Sequence, residues 1–360
     1  MNKYSYKKIK KKTKEVKIGG LGVGGGNPVR IKGMLKSSLQ DKDNVIREAR
    51  RLEREGAEAI RVAVEKRGNA KIARILKKNI SVPLAADVHF DYRLALDSIE
   101  SGFDQIRLNP LNIYRKKEVR EVVKELKKSG ISLRVGINSG GFKKDFPDAE
   151  SIAKEMVKIA ADYLNIIEKE GFFDIMVSLK TSSIDSTFIA NKEFRRHFDY
   201  PLHLGVTATG PFLEGIVKSS LGVGMMLSSG AGDIIRISLT GPSWQEIRIA
   251  RYLLQSLGLR SFSPEVISCP TCSRCNVDLP GIVDKLRKEL SRLDNTSLPG
   301  KIAVMGCVVN GPGEAYQADI GLAFGKKRAA IFKKDKIVGW TDENNALRDL
   351  IDEIGRMSWK

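Results

Sequence analysis

The stretch "AIRVAVE", residues 59–65, sets Ile60, Val62 and Val64 on one alternation and Arg61 and Glu65 on the other. A period of two is the mark of a strand, and a parity that is wholly apolar is packed against other structure. Seven further runs share the pattern: "VRIKGML" (29–35), "PLAADVH" (83–89), "QIRLNP" (105–110), "SLRVGIN" (132–138), "DIMVSLK" (174–180), "PLHLGVT" (201–207) and "DIIRISL" (233–239). Amphipathic helical patterns lie between them, as at 41–55, 115–129, 149–170 and 243–257. Eight strand–helix units in succession predict an α/β fold, a (β/α)8 TIM-like barrel over residues 28–260. An open doubly wound sheet competes with it, but no G-x-G-x-x-G follows a first strand. "GGLGVGGG" (19–26) precedes the first strand and reads as a turn or small hairpin closing the barrel bottom.

Helix-facing positions of such strands should be apolar, and they are, as at Leu84, Ala86 and Val88 or Leu133, Val135 and Ile137. A merely packed barrel interior would be apolar on the other parity as well. Instead that parity carries Arg61, Arg107, Arg134 and Arg236 on four different strands, with Lys180 beside them. Asp87, His89, Asn109, Asn138, His203, Thr207 and Ser238 share it, and Asp87 and Glu65 are its acids. Unpaired charge in a confined space costs several kcal/mol, so an anion is expected to fill the gap. Guanidinium forks match phosphate oxygens in pairs, which points to a phosphorylated ligand at the C-terminal strand ends. An internal salt-bridge network is the plainer alternative.

The net charge of +19 raises the question of nucleic acid. Residues 1–17 hold eight Lys and one Glu and read as a disordered basic tail. The rest of the excess is spread over helices that mix both signs, such as "IREARRLEREG", and no aromatic-interleaved basic patch appears. Neither a nucleic-acid partner nor a membrane partner is expected. No secretory segment is seen at the N-terminus, so a cytoplasmic location is expected, where thiols stay reduced.

After residue 264 the rhythm changes, and residues 265–360 read as a small α/β domain built around cysteines. "CPTCSRC" (269–275) holds Cys269, Cys272 and Cys275, and Cys307 follows in "MGCVVNGPGE". Four thiolates at these spacings suit a structural zinc or a [4Fe–4S] cluster about equally.

Beyond spacing, "ISCPTCSR", "MGCVVNGPGEA", "ADVHFDYRLA", "IRLNPLNI", "LRVGINSG", "VSLKTS" and "PLHLGVT" together resemble the bacterial 4-hydroxy-3-methylbut-2-enyl diphosphate synthases of the methylerythritol phosphate route to isoprenoids. The motifs run in the same order from about residue 28 to 316. The resemblance implies a homodimeric barrel enzyme with a C-terminal iron–sulfur domain. It implies a [4Fe–4S] cluster held by Cys269, Cys272, Cys307 and Glu314, with Cys275 a spare thiol. The implied reaction is reductive ring opening of 2-C-methyl-D-erythritol 2,4-cyclodiphosphate with loss of water, electrons coming from flavodoxin or ferredoxin. Diphosphate-binding residues would fall on Arg61, Arg107, Asn109, Arg134, Asn138, Lys180, Arg236 and Ser238. Asp87 and His89 would lie near the reacting carbons, with Glu314 at the open iron.

Two departures stand out. Where the family commonly has T-E-A-G after the seventh strand, this chain has "TATG", so Ala208 replaces an acid. "IKGMLKSS" replaces a Q-S-M-T-N-T run, bringing in Lys32 and Leu35 and leaving Glu65, His89 or a water to handle protons. A divergent paralogue acting on another diphosphate, or a zinc-stabilised protein binding phosphorylated ligands or nucleic acid, are the competing functions.

Overall fold

The computed structural model describes residues 12–275, 277–293, 298–307, 318–334 and 336–356. The chain forms two compact units, Met1–Arg260 and Ser261–Lys360.

In the first unit a hairpin, β1 (Glu15–Ile18) and β2 (Leu21–Gly24), precedes the barrel. Eight parallel strands follow: β3 (Arg30–Met34), β4 (Ala59–Val64), β5 (Leu84–Val88), β6 (Gln105–Leu108), β7 (Ser132–Asn138), β8 (Ile175–Lys180), β9 (His203–Leu204) and β10 (Ile234–Ile235). They pair in the order β8-β7-β6-β5-β4-β3-β10-β9. A parallel bridge between Val177 and Leu202 brings β8 to the start of β9 and closes the ring. The helices are α1 (Lys42–Glu55), α2 (Ile72–Leu76), α3 (Arg93–Glu100), α4 (Lys116–Ser129), α5 (Ala149–Glu168), α6 (Ile184–His197), α7 (Phe212–Ser228) and α8 (Ser243–Ser256). The (β/α)8 expectation is met.

Local chemistry sets the ends of these elements. Asp41 accepts the Asn44 N–H to start α1, and Asp148 accepts the Ser151 N–H to start α5. Gly56, at φ +103°, ends α1 in a left-handed turn that a side chain would strain. Every helix-facing residue of β4 and β5 is at most 1% exposed, and each such aliphatic side chain contributes roughly 1.5–3 kcal/mol by leaving water.

The hairpin plugs the bottom of the barrel. Ile18 and Val23 pack on Met176 and Ile234, inward-facing residues of β8 and β10. One part of the disordered-tail expectation is overturned here. Thr13 is buried, its Oγ1 donates to Asp233 Oδ1 at 3.1 Å, and β1 starts at Glu15. Alternation of Val16 and Ile18 with Glu15 and Lys17 outweighs the basic composition, because those two apolar side chains seal an apolar opening. Residues 1–11 lie outside the described residues.

The second unit is a five-stranded sheet in the order β11 (Glu265–Ser268), β12 (Lys301–Met305), β13 (Ile320–Phe324), β14 (Arg328–Lys333), β15 (Lys336–Asp342). The first three run parallel and the last two antiparallel. Helices α9 (Leu279–Leu290) and α10 (Ala346–Gly355) bury Leu286, Leu290, Leu350 and Ile354 against Ile302, Val304, Leu322 and Ile331 of the sheet.

Candidate active site

Register turns the inward parity into a site. Asp87 of β5 is level with Arg107 of β6, and Arg107 is level with Arg134 of β7, so three charged residues share one row of neighbouring strands. Arg107 Nη1 donates to Asp87 Oδ1 at 3.0 Å, and its Nη2 donates to the Gly136 carbonyl at 2.8 Å. Arg61 Nε approaches Asp87 Oδ2 at 3.6 Å, and Arg134 Nη2 comes within 4.0 Å of Oδ1. Burial alone would raise the Asp87 pKa, but the charges of Arg61, Arg107 and Arg134 hold it well below the usual carboxylate range.

One carboxylate cannot neutralise this row. Arg134 is 1% exposed and donates through Nη1 to Ser178 Oγ at 2.8 Å, while its Nε and Nη2 have no hydrogen-bond partner. Lys180 is buried, and burial, then Arg134, Arg61, Arg236 and Arg107, push its ammonium well below the ordinary lysine value. Deeper still, Lys32 Nζ donates to Gln105 Oε1 at 2.6 Å, with its pKa lowered first by burial and then by Arg134 and Arg61. His203 is fully buried with both ring nitrogens unpartnered, and burial, then Lys180, hold it neutral.

Arg236 has a partner that strand parity does not reveal. Glu246 on α8 is 1% exposed and lies 3.3 Å from Arg236 Nη2. It also accepts from Lys36 Nζ at 2.8 Å and from the Leu239 N–H at 2.9 Å. Arg236 Nη1 donates to Ser238 Oγ at 2.8 Å. The expectation that Asp87 and Glu65 are the acids beside the inward arginines is therefore corrected: Glu246 joins Asp87, and Glu65 is exposed. Four arginines with Lys32, Lys36 and Lys180 still stand against two carboxylates, Asp87 and Glu246, so the excess is positive.

At the C-terminal ends of β5 and β6, His89 Nε2 meets Arg107 Nη1 and its Nδ1 lies 3.2 Å from Asn112 Oδ1. A guanidinium only donates, so Nε2 accepts and the ring proton is on Nδ1, facing Asn112. Asn109 is buried and its Oδ1 accepts the Leu111 N–H at 3.1 Å; Asn138 is half-buried at the end of β7. Ala208 takes φ +48° in the loop after β9, so its position carries a strained backbone and no acid.

Two glycines give the cations their room. A Cβ on Gly136 would stand 2.5 Å from Arg107 Nε and 3.1 Å from Ser178 Oγ. A Cβ on Gly205 would stand 2.8 Å from Lys180 Nζ and 2.7 Å from the Arg236 carbonyl. Both fall on the inward parity of "LRVGIN" and "PLHLGVT", and that placement is the signal that could have found them.

In the second unit Cys269 and Cys275 are partly buried and Cys272 is exposed; none of the four cysteines is in a disulfide. The Gly306 N–H donates to Cys269 Sγ at 3.3 Å. A Cβ on Gly306 would collide with Cys275 Sγ and stand 3.5 Å from Cys269 Sγ, so a glycine before Cys307 keeps space where sulfurs gather. Among the described residues no three thiols, imidazoles or carboxylates form a ready metal-holding group. Glu314 lies outside the described residues.

Comparisons with known proteins agree with both halves of this architecture. The family model described as the GcpE TIM-barrel domain matches residues 13–251, and that described as the GcpE protein C-terminal domain matches 265–356. A 4-hydroxy-3-methylbut-2-en-1-yl diphosphate synthase (flavodoxin) of Caldanaerobacter subterraneus subsp. tengcongensis is 43% identical over 97% of this chain and 98% of its own. The protein of that name from Thermodesulfovibrio yellowstonii is 42% identical over 96% and 99%. Among solved structures, Yersinia pestis dihydropteroate synthase with a pterine-sulfa conjugate superposes at a TM-score of 0.53. It covers 68% of this chain and 98% of that one at 13% identity, a likeness of fold alone. Two domain matches in order and near full-length identity to curated relatives lead to one statement of kinship: the chain belongs to the GcpE family.

Proposed function

We propose that this protein makes 4-hydroxy-3-methylbut-2-enyl diphosphate by reductive ring opening of 2-C-methyl-D-erythritol 2,4-cyclodiphosphate, with flavodoxin as electron donor. Two electrons and two protons enter and one water leaves. The observation that carries the reading is the surplus of buried cations over carboxylates at the barrel interior. A compact diphosphate supplies the missing negative charge, and the relatives' shared name supplies the identity of the product.

In this reading Arg61, Arg107, Arg134, Lys180 and Arg236 grip the phosphate oxygens, with Asn109, Asn138 and Ser238 as neutral donors around them. The unpartnered nitrogens of Arg107, Arg134 and Arg236 give the cage unused donors. Fixed cations around the bridging diphosphate lower its basicity as the ring opens, and they need no reorganisation to do so. Asp87 keeps Arg61, Arg107 and Arg134 from scattering by mutual repulsion. His89 stands at the C-terminal strand ends in contact with Arg107, beside the phosphate-binding residues. With Ala208 bare and Glu65 in solvent, His89 takes over proton handling.

Cys269, Cys272, Cys307 and Glu314 would hold a [4Fe–4S] cluster, and the room kept by Gly306 beside two sulfurs fits such a group. Such a cluster, when bound, would supply the electrons for reductive C–O cleavage one at a time. A carboxylate among three thiolates would be the harder, more readily displaced ligand. The reading carries a cytoplasmic location. A homodimer belongs to it too, and an outward apolar line along α7 supports that: Leu213, Val217 and Leu221 are 71%, 67% and 53% exposed. Light scattering on Val217→Glu should then report a monomer.

The test is anaerobic turnover of the cyclodiphosphate with reduced flavodoxin. Product formation by brown, iron- and sulfide-containing protein supports the reading, and its loss in Cys307→Ser ties it to the cluster. A colourless zinc protein that binds the cyclodiphosphate without opening it contradicts the reading.

A further inference from the structure

The last hairpin of the second unit, β14 with β15, leaves an aromatic side chain in solvent beside a basic turn. Between residues 326 and 342 the sequence carries six lysines and arginines against Asp335 and Asp342. Lys333 is paired with Glu353, whereas Lys326, Lys327 and Arg328 are exposed and have no carboxylate partner among the described residues. Arg328 lies over the Trp340 ring, 4.1 Å from its centroid. Trp340 is still 50% exposed, beside the equally open Ile337 and Val338. Register fixes where this patch sits. Met305 pairs with Ala323, Ala323 with Ala330 and Ala330 with Trp340, so one row crosses four strands from β12 to β15. Three strand spacings put the Trp340 backbone about 14 Å from that of Met305, two residues before Cys307. The turn from β13 into β14 lies at the same end of the sheet, the end where Cys269 and Cys307 follow β11 and β12. Lysines on an edge strand guard against self-pairing, but β15 itself carries one, Lys336, next to its three apolar side chains. Cations flanking an exposed tryptophan have instead the make-up of a docking face, with an aromatic anchor and a charged rim.

We propose that this hairpin is the docking surface for flavodoxin, with Trp340 at its centre and Lys326, Lys327 and Arg328 receiving acidic side chains around the flavin. The proposal rests on the flavodoxin-dependent reading of the preceding subsection. An acidic partner is drawn in by these cations before contact, and they orient it so that the flavin approaches the sheet end that bears the thiols. Electron-donor encounters bury less than about 1,200 Å² in total, an area within reach of one hairpin and its neighbouring turns.

The experiment titrates oxidised flavodoxin into the full-length protein by calorimetry at ionic strengths of about 0.01 and about 0.15 M. Wild type is compared with Lys326→Glu combined with Lys327→Glu, with Trp340→Ala, and with Lys124→Glu combined with Lys128→Glu. The last pair, exposed on α4 of the first unit, is a control of equal charge change. Wild-type binding should weaken at the higher salt. The hairpin charge reversal should bind at least about tenfold more weakly and lose most of that salt dependence. Trp340→Ala should bind severalfold more weakly and keep the salt dependence, and the control should match wild type. Equal weakening in the control, wild-type affinity in both hairpin variants, or no measurable wild-type binding overturns the proposal. So does a dimer that dissociates in the hairpin variants while flavodoxin still binds, since the patch would then belong to a second copy of the chain. Turnover by a wild type whose hairpin variants bind flavodoxin normally overturns the docking surface alone. A wild type that binds flavodoxin through the hairpin but does not open the cyclodiphosphate overturns the proposed reaction and leaves the surface standing.

Discussion

Replacing Gly136 by alanine should damage the site through Arg107, with no change to any charged residue. The new methyl would stand 2.5 Å from Arg107 Nε, 3.3 Å from its Cζ and 3.1 Å from Ser178 Oγ. Arg107 is 1% exposed and is held at both ends, by Asp87 and by the Gly136 carbonyl, so it cannot swing aside freely. If the side chain stays, β7 is pushed out of register at an overpacking cost of about 1–3 kcal/mol. If it leaves, a charge-assisted bond to Asp87 worth about 1.5–3 kcal/mol goes with it. Either route predicts a loss of roughly 2–3 kcal/mol in folding stability. Affinity for the cyclodiphosphate should fall on the order of tenfold to a hundredfold, since one guanidinium contact is misplaced. Gly140→Ala, two residues beyond Asn138 at the end of the same strand, is the control, because nothing lies within 4 Å of its Cβ. Urea unfolding followed by circular dichroism, with calorimetric titration of the cyclodiphosphate, reads both effects. A Gly136→Ala protein within about 0.5 kcal/mol of wild type and with unchanged affinity would refute the steric reasoning. So would equal damage in the control.

Lys180 and Glu246 supply two further tests. The Lys180 ammonium is depressed first by burial and then by its four arginine neighbours, so a bound dianion should raise its pKa again. Between the depressed free value and the raised bound value, binding takes up a proton; below the free value the lysine is already charged and uptake vanishes. Titrations of inorganic pyrophosphate in buffers of different ionisation enthalpy should show this uptake in the wild type and less of it in Lys180→Met, and equal uptake in both would contradict the assignment. Glu246→Gln removes the charge shared by Arg236 and Lys36 and should cost about 3 kcal/mol of stability, as a broken buried pair does. Added pyrophosphate should stabilise that variant more than it stabilises wild type, and a melting curve unchanged from wild type would remove Glu246 from the site.

The barrel was legible because parity is local: each run states by itself which side chains face the helices, and the register then aligns Asp87, Arg107 and Arg134. The polar parity was legible in the same way, since four arginines and Lys180 stand on it with only two acids. What stayed hidden came from elements outside the strands or from absences. Glu246 enters from the first turn of α8, and no strand pattern can say which helix residue will reach Arg236. Gly136 and Gly205 matter through the side chain they lack, which is visible only once Arg107 and Lys180 have positions. The basic composition of residues 1–17 masked the short Val16 and Ile18 alternation that builds β1. Edge strand β15, with Ile337, Val338 and Trp340 exposed, lacks the one-sided apolar alternation that marks a covered strand. Cys269 and Cys275 both approach Gly306, a placement that cysteine spacing does not encode.

The most direct measurement is a crystal structure of the anaerobic protein with the cyclodiphosphate bound. Phosphate oxygens in hydrogen-bond contact with Arg107, Arg134 and Lys180 inside the barrel mouth are the result expected. Phosphates lodged elsewhere, with Arg107 still on Asp87 and the Gly136 carbonyl and Arg134 still on Ser178, would contradict the account.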